Sequence, residues 1–419
     1  MKIIRLELLI ISMFILLSCN ESITLNEEIG DTASTIFQFE DPAIVKVNSS
    51  ESSTITLSRT TGSGSFIASK VSINYTGTAN CSSVTINKLS TSSGEVSFSN
   101  CTGDGHFQLH YKDESSVRIR VNNTVQTLYS SAFDIALNNN EDYAYVVDTG
   151  TDAVTKVDLA TGLGEIVSDV NIGGGDGGAT FGSPVSIKLS TNESAAFVLD
   201  NGRDAIFSVD LTTGYRTVIT GLGVGSGTSL SNPTRIELNS AQDKIYVIDR
   251  GLSALLEVDI ATGARTVISS NSDSLTPTIS TPYGMAINQT DDAMYVINRD
   301  GRNLISINLS TGVRTLISDS TLGTGNNFST PHGLTLSSDY NYGYVNDQGS
   351  DAIFKVNLAT GDREILSSSS VGNGVNFVST LGFTLNGDNT IGYAVDSSTA
   401  VEGIIRVDLE SGDRSIVSN

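Results

Sequence analysis

Tyr143-Ala-Tyr-Val-Val-Asp148 … Val157-Asp158-Leu-Ala-Thr-Gly162 decides the fold, because the same pattern returns five more times. It recurs as Ala196-Phe-Val-Leu-Asp200 … Val209-Asp210-Leu-Thr-Thr-Gly214 and Ile245-Tyr-Val-Ile-Asp249 … Val258-Asp259-Ile-Ala-Thr-Gly263. Then come Met294-Tyr-Val-Ile-Asn298 … Ile307-Asn308-Leu-Ser-Thr-Gly312 and Gly343-Tyr-Val-Asn-Asp347 … Val356-Asn357-Leu-Ala-Thr-Gly361. The sixth copy is Gly392-Tyr-Ala-Val-Asp396 … Val407-Asp408-Leu-Glu-Ser-Gly412. The terminal glycines are spaced 52, 49, 49, 49 and 51 residues apart. A period near 50 with several strands per unit signals radial repetition, one propeller blade per copy. No run shows a 3.6-residue period, which excludes helical repeats. The expectation is an all-β chain whose residues 124–419 form a six-bladed β-propeller.

Each copy reads as four strands, a to d. In the third, Arg235–Asn239 is strand a and Lys244–Asp249 is strand b, apolar on both faces as if covered by neighbouring blades. Leu256, Val258 and Ile260 give strand c its buried face, and a Thr-Gly turn leads into strand d from Arg265. The turn needs glycine because short hairpins place one residue at positive φ. Asp210, Asp259 and Asp408 precede this turn, and Arg216, Arg265 and Arg414 follow it. The fourth and fifth copies keep Arg314 and Arg363 but carry Asn308 and Asn357, and the first has Asp158 with no arginine. The spacing predicts exposed structural pairs across the hairpin, worth about 0–1 kcal/mol each. The glycine-rich segments from Gly223, Gly323 and Gly372 lack a following helix and a Lys-Ser/Thr, so they read as blade crossovers and not as phosphate loops. Thr124–Ser130 reads as a further strand d, a clasp for the last blade or the end of the preceding domain.

Upstream, residues 42–122 carry six short runs of period two at about ten-residue spacing, from Ser53–Leu57 to Val117–Val121. They predict a small β-sandwich that resembles the Ig-like modules of bacterial surface proteins. His106 and His110 fall four apart on one predicted strand and share a face, as a metal pair or as two solvent-facing rings. Residues 19–41 read as a tether. Residues 1–18 read as a signal peptide: Lys2 and Arg5 precede the apolar run Leu8–Leu17. Leu16-Leu17-Ser18-Cys19 resembles a bacterial lipobox, which implies lipidation of Cys19 and anchoring to the cell envelope through acyl chains alone. Removing Cys19 from the count leaves Cys81 and Cys101, expected as a disulfide in an oxidising compartment.

The 419 residues carry a net charge of -22. That surface repels phosphate backbones and anionic headgroups and argues against nucleic acid as a partner. With 38% apolar and 17% charged residues, the chain is too apolar to be disordered.

Ser280-Thr-Pro-Tyr-Gly-Met-Ala-Ile-Asn288 with Met294–Asn298, and Thr330-Pro-His-Gly-Leu-Thr-Leu336, resemble the NHL and YVTN propeller repeats. They are also similar to the gluconolactonase/strictosidine-synthase-like superfamily. That resemblance implies a propeller that serves either as a scaffold or as a hydrolase holding calcium in its channel. Residues after the strand-a proline often include an Asn in those enzymes. Here the six equivalents are Phe133, Val185, Thr234, Tyr283, His332 and Leu381, none of them Asn, Asp or Glu.

Strand b ends in Asp148, Asp200, Asp249, Asn298, Asp347 and Asp396. These read as caps for the following turn or, for the five aspartates, as a ring of calcium ligands. The next residue varies, and Arg250 and Arg299 from adjacent blades offer a positive spot for a small anionic ligand. With Tyr283 and His332 they form the candidate ligand site. His332, the propeller's one histidine, is also a candidate base. The resulting expectation is an envelope lipoprotein that binds a protein or small anion through its propeller face. The alternative is a calcium-dependent lactonase or esterase.

Overall fold

The computed structural model describes residues 128–418, Ser90, and seven strands upstream: β1 (Ile36–Phe39), β2 (Ser53–Thr61), β3 (Val71–Gly77), β4 (Asn80–Lys88), β5 (Ser93–Thr102), β6 (Gly105–Tyr111) and β7 (Ser115–Val121). The chain divides into two compact units, Met1–Gln126 and Thr127–Asn419. The signal segment, Cys19 and most of the tether lie outside the described residues.

In the first unit the strands form two antiparallel sheets, ordered β1-β2-β5-β4 and β3-β6-β7. This order is shared with the two sheets of a constant-type immunoglobulin domain. The six runs read from the sequence fall in β2 to β7. The seventh strand, β1, corrects the tether: Phe39 pairs with Leu57 inside the stretch assigned to a linker. Ile-Phe-Gln-Phe is too short to display a period by itself. Between β4 and β5 the register sets Cys81 directly opposite Cys101.

The second unit is a six-bladed propeller. Its six four-stranded sheets each use consecutive antiparallel strands. Innermost are the a strands: Ala132–Leu137, Pro184–Leu189, Pro233–Leu238, Pro282–Ile287, Pro331–Leu336 and Thr380–Leu385. Each adjoins the next, and the sixth adjoins the first, so the ring closes. Apolar side chains fill the gaps between blades. Val147 and Val154 of blade one, for example, meet Ile187, Val198 and Phe207 of blade two. A fully buried side chain of this kind contributes about 1.5–3 kcal/mol. Three residues before each strand a, one more large side chain is buried: Tyr129, Phe181, Leu230, Ile279, Phe328 and Phe377.

The arginines of strand d correct the hairpin-pair reading. Arg216 is 1% exposed and does not meet Asp210. Its Nε donates to the carbonyl of Ala179 at 3.1 Å and its Nη1 to those of Asp169 and Ile172 at 2.7 and 3.2 Å, all on the crossover that enters its blade. Nη1 also donates to Ser168 Oγ of the preceding blade, and the guanidinium stacks on Phe181, 5.2 Å from its centroid. Arg265, Arg314, Arg363 and Arg414 likewise donate to carbonyls of their own crossovers, and Arg363 and Arg414 also stack on Phe328 and Phe377. Asp210 instead caps the turn, accepting from the N–H groups of Thr212 and Thr213 at 3.0 and 2.7 Å. An acceptor is all that role needs, so Asn308 and Asn357 perform it equally.

Among the described residues, no clasp strand joins blade six. The fourth strand of blade six is Arg414–Ser418, residues 128–130 form no strand, and 124–127 lie outside the described residues. Blade one is reached from residue 131 and not from blade six, so no crossover supplies carbonyls for an arginine there. Gly164 holds that position, and a Cβ on it would lie 2.7 Å from Leu128 Cδ1. Leu128 and Tyr129 pack between blade one and Tyr393, Val395 and Ile404 of blade six.

On the turns joining strands a and b, Glu141, Glu193, Gln242, Asp291, Tyr340 and Asn389 all take positive φ, between 53° and 58°. That conformation costs a non-glycine residue about 1–2 kcal/mol. Five of the six use it to reach the preceding blade. Gln242, Asp291 and Asn389 accept from the backbone N–H of Thr191, Ser240 and Ser338, at 3.1, 2.8 and 3.0 Å. Glu193 does the same for Asn139, and Glu141 spans the seam to Gly387.

Candidate functional site

A bulge in strand a builds the site. Where strand a pairs with strand b, the register shifts across one residue, as between Pro282 and Gly284 or Pro331 and Gly333. The residue left out of the ladder is re-aimed. These residues are Phe133, Val185, Thr234, Tyr283 and His332, with Leu381 in the longer irregularity of blade six. Blades one and five are not neighbours, yet the rings of Phe133 and His332 approach to 6.1 Å, so these side chains meet across the axis. Tyr283 packs on His332 at 4.2 Å.

One position further along, blades one to three carry Asp134, Ser186 and Arg235, and blades four to six carry Gly284, Gly333 and Gly382. Arg235 Nη1 lies 2.5 Å from Asp134 Oδ1, a buried ion pair across the channel. Asp134 Oδ2 accepts from Ser186 Oγ at 2.9 Å and from the N–H of Ile187 at 3.1 Å. The glycines make room: a Cβ on Gly382 would fall 2.7 Å from Asp134 Cα. The sequence reading missed this core. The contrast of Asp, Ser and Arg with three glycines at one repeat position was the available signal.

The residue after strand b separates the blades. Asn201 Nδ2 donates to Asn232 Oδ1 and the Pro233 carbonyl at 2.7 and 2.8 Å, and Gln348 Nε2 to Ser379 Oγ at 2.9 Å. Thr149 and Ser397 also bond to the segment entering their own blades. Arg250 and Arg299 differ. Both donate through Nη1 to the hydroxyl of Tyr283, Arg299 at 3.2 Å, and both stack on its ring at 5.3 and 5.2 Å. Among the described residues, no carboxylate lies within 4.0 Å of either guanidinium. The structure therefore brings Arg250, Arg299, Tyr283 and His332 together, as the sequence reading grouped them.

His332 is 3% exposed. Burial, and then the charges of Arg235, Arg299 and Arg250, push its ring down to about 3. A ring that weakly basic stays uncharged at neutral pH and takes up a second proton poorly, so it offers stacking and hydrogen bonding rather than base catalysis.

The strand-b carboxylates do not assemble. Asp148 accepts from the N–H groups of Ser130 and Ser131 at 2.8 and 2.9 Å and of Gly150 and Thr151 at 2.9 and 2.7 Å. Asp200, Asp249, Asp347 and Asp396 clasp the segments entering their own blades in the same way. At Asp200 and Asp249 burial raises the carboxyl pKa, against the backbone hydrogen bonds that lower it. Among the described residues, no three His, Cys, Asp or Glu side chains are grouped to hold a metal. Calcium ligation by these aspartates does not fit, because their oxygens are committed to backbone N–H groups of separate blades.

Fold and site define a class: an all-β six-bladed propeller with a packed polar channel and an arginine pair that has no carboxylate partner among the described residues. No family model matches the chain, and no curated protein does. The chain is similar to several solved structures. An auxiliary nutrient-binding protein from Bacteroides ovatus is 13% identical, with a TM-score of 0.49 over 87% of this chain and 95% of that one. A gluconolactonase from Xanthomonas campestris is 12% identical, with a TM-score of 0.48 over 64% and 84%. A chain of a nidogen/laminin complex is 16% identical, with a TM-score of 0.48 over 63% and 89%.

Proposed function

We propose that the propeller is a binding module that captures a small anion between Arg250 and Arg299. One observation carries the reading: two guanidiniums from adjacent blades share a single phenol oxygen and, among the described residues, have no carboxylate partner. Planar forks of this kind match carboxylate, phosphate and sulfate. The other blades serve as an internal control, since Asn201 and Gln348 at the same position are consumed by structural bonds. Cys19 lipidation would hold the module at the bacterial cell envelope through acyl chains, facing a protein or small-molecule ligand. The calcium-dependent hydrolase is the weaker reading, given where the aspartate oxygens are spent.

The test is thermal unfolding with carboxylates, phosphate and sulfate at fixed ionic strength, with calcium in a separate arm. A bound anion raises Tm by mass action. At least one anion should do so for the native protein and fail for Arg250→Gln/Arg299→Gln. A shift with calcium and turnover of lactones or esters, with no anion effect, would replace the binding reading.

A further inference from the structure

The strand-b residue before the terminal Asp or Asn is Val147, Leu199, Ile248, Ile297 or Val395 in five blades and Asn346 in blade five. Asn346 is as buried as its apolar counterparts. Its Nδ2 donates to the carbonyls of Thr380 and Leu381 in blade six, both at 3.0 Å, which fixes the amide and turns Oδ1 back toward blade five. There Oδ1 lies 2.1 Å from the place a Cβ on Gly333 would take, and no donor reaches it. Two more buried atoms of this blade junction lack partners: Nδ1 of His332, beside Gly333 in the chain, and Oγ1 of Thr380. Thr380 stands where four blades have proline and one has alanine.

Three buried polar side chains appear at positions where most blades use apolar residues or an aromatic. Each unmade bond costs about 1–3 kcal/mol, and a buried water typically makes about three bonds. A cation is disfavoured beside Arg235, Arg250 and Arg299, the charges that depress His332. We propose that this junction binds one ordered water. It accepts from His332 Nδ1–H and donates to Asn346 Oδ1 and Thr380 Oγ1. Asn346 is then a positioning residue that holds His332 as the Nδ1–H tautomer. Nε2 is left as an acceptor, which suits surroundings where the arginines supply only donors. The tautomer is set without ligand, so it stands or falls separately from anion capture.

Nitrogen-15 NMR of the full chain without ligand reads it directly, with His332→Gln assigning the signal against His106 and His110. The native protein should show His332 neutral and protonated on Nδ1. Asn346→Val, which installs the residue used by two other blades, should shift the tautomer toward Nε2–H. Thr380→Ala should shift it less, and it covers the case in which Asn346→Val does not fold. An Nε2–H tautomer in the native protein, or one unchanged in both variants, would overturn the proposal.

Discussion

Leu128 occupies the volume that a side chain on Gly164 would need, and the two together close the ring where the five arginine staples have no counterpart. The other junctions are tied by a guanidinium reading crossover carbonyls. This one is tied by an apolar plug and by Glu141 reaching Gly387.

Leu128→Ala should therefore destabilise the propeller by about 2–5 kcal/mol, the range for emptying a buried leucine site. Denaturant midpoints measure it. An effect below about 0.5 kcal/mol would mean that the seam closes by other contacts.

The staples and the turn caps make opposite demands on charge. Arg216→Leu removes the donor from the carbonyls of Asp169, Ile172 and Ala179 and should cost a few kcal/mol in all, at about 0.5–1.5 kcal/mol per hydrogen bond. Asp210→Asn keeps the turn acceptor and should stay within about 0.5 kcal/mol. Equal losses in the two variants would restore the hairpin ion pair.

His332 makes stability depend on pH. Its folded value of about 3 lies below the unfolded value of 6.5. The unfolded chain thus takes up a proton that the folded one refuses. The contribution of His332 is complete above pH 6.5 and is lost as pH falls toward 3. Between pH 7 and pH 5 the loss is on the order of 2 kcal/mol. His332→Phe should flatten that part of the Tm profile, and an unchanged slope would show that His332 gains its proton without cost.

Cys81 and Cys101 occupy opposite positions in the register of β4 and β5. A disulfide there closes a loop of about 20 residues and contributes roughly 3 kcal/mol in the chain-entropy model. Thiol titration of the denatured, unreduced protein exported to an oxidising compartment should find neither thiol free. Two reactive thiols would remove the bond.

Much of this was legible in the sequence because a repeat exposes its own rules. The period gave the blades, the Thr-Gly turns gave the hairpins, and variation at fixed positions singled out Arg250, Arg299, Tyr283 and His332. The arginine staples were hidden because their partners are backbone carbonyls of crossovers, which leave no mark on side-chain identity. The Asp134–Arg235 pair was hidden because it joins blades one and three, which no local pattern links. Strand β1 was hidden by its length. At the seam, Leu128 and Tyr129 lie outside any strand and serve by their volume, a use that the alternating pattern of Thr124–Ser130 does not distinguish from a strand d.

Isothermal titration of the most stabilising anion tests anion capture most directly. The native protein should bind one equivalent, with affinity falling as salt rises. Arg250→Gln/Arg299→Gln should weaken binding at least tenfold, since each charged hydrogen bond is worth about 1.5–3 kcal/mol. Equal affinity in the two proteins would place the anion elsewhere and contradict the assignment of the arginine pair.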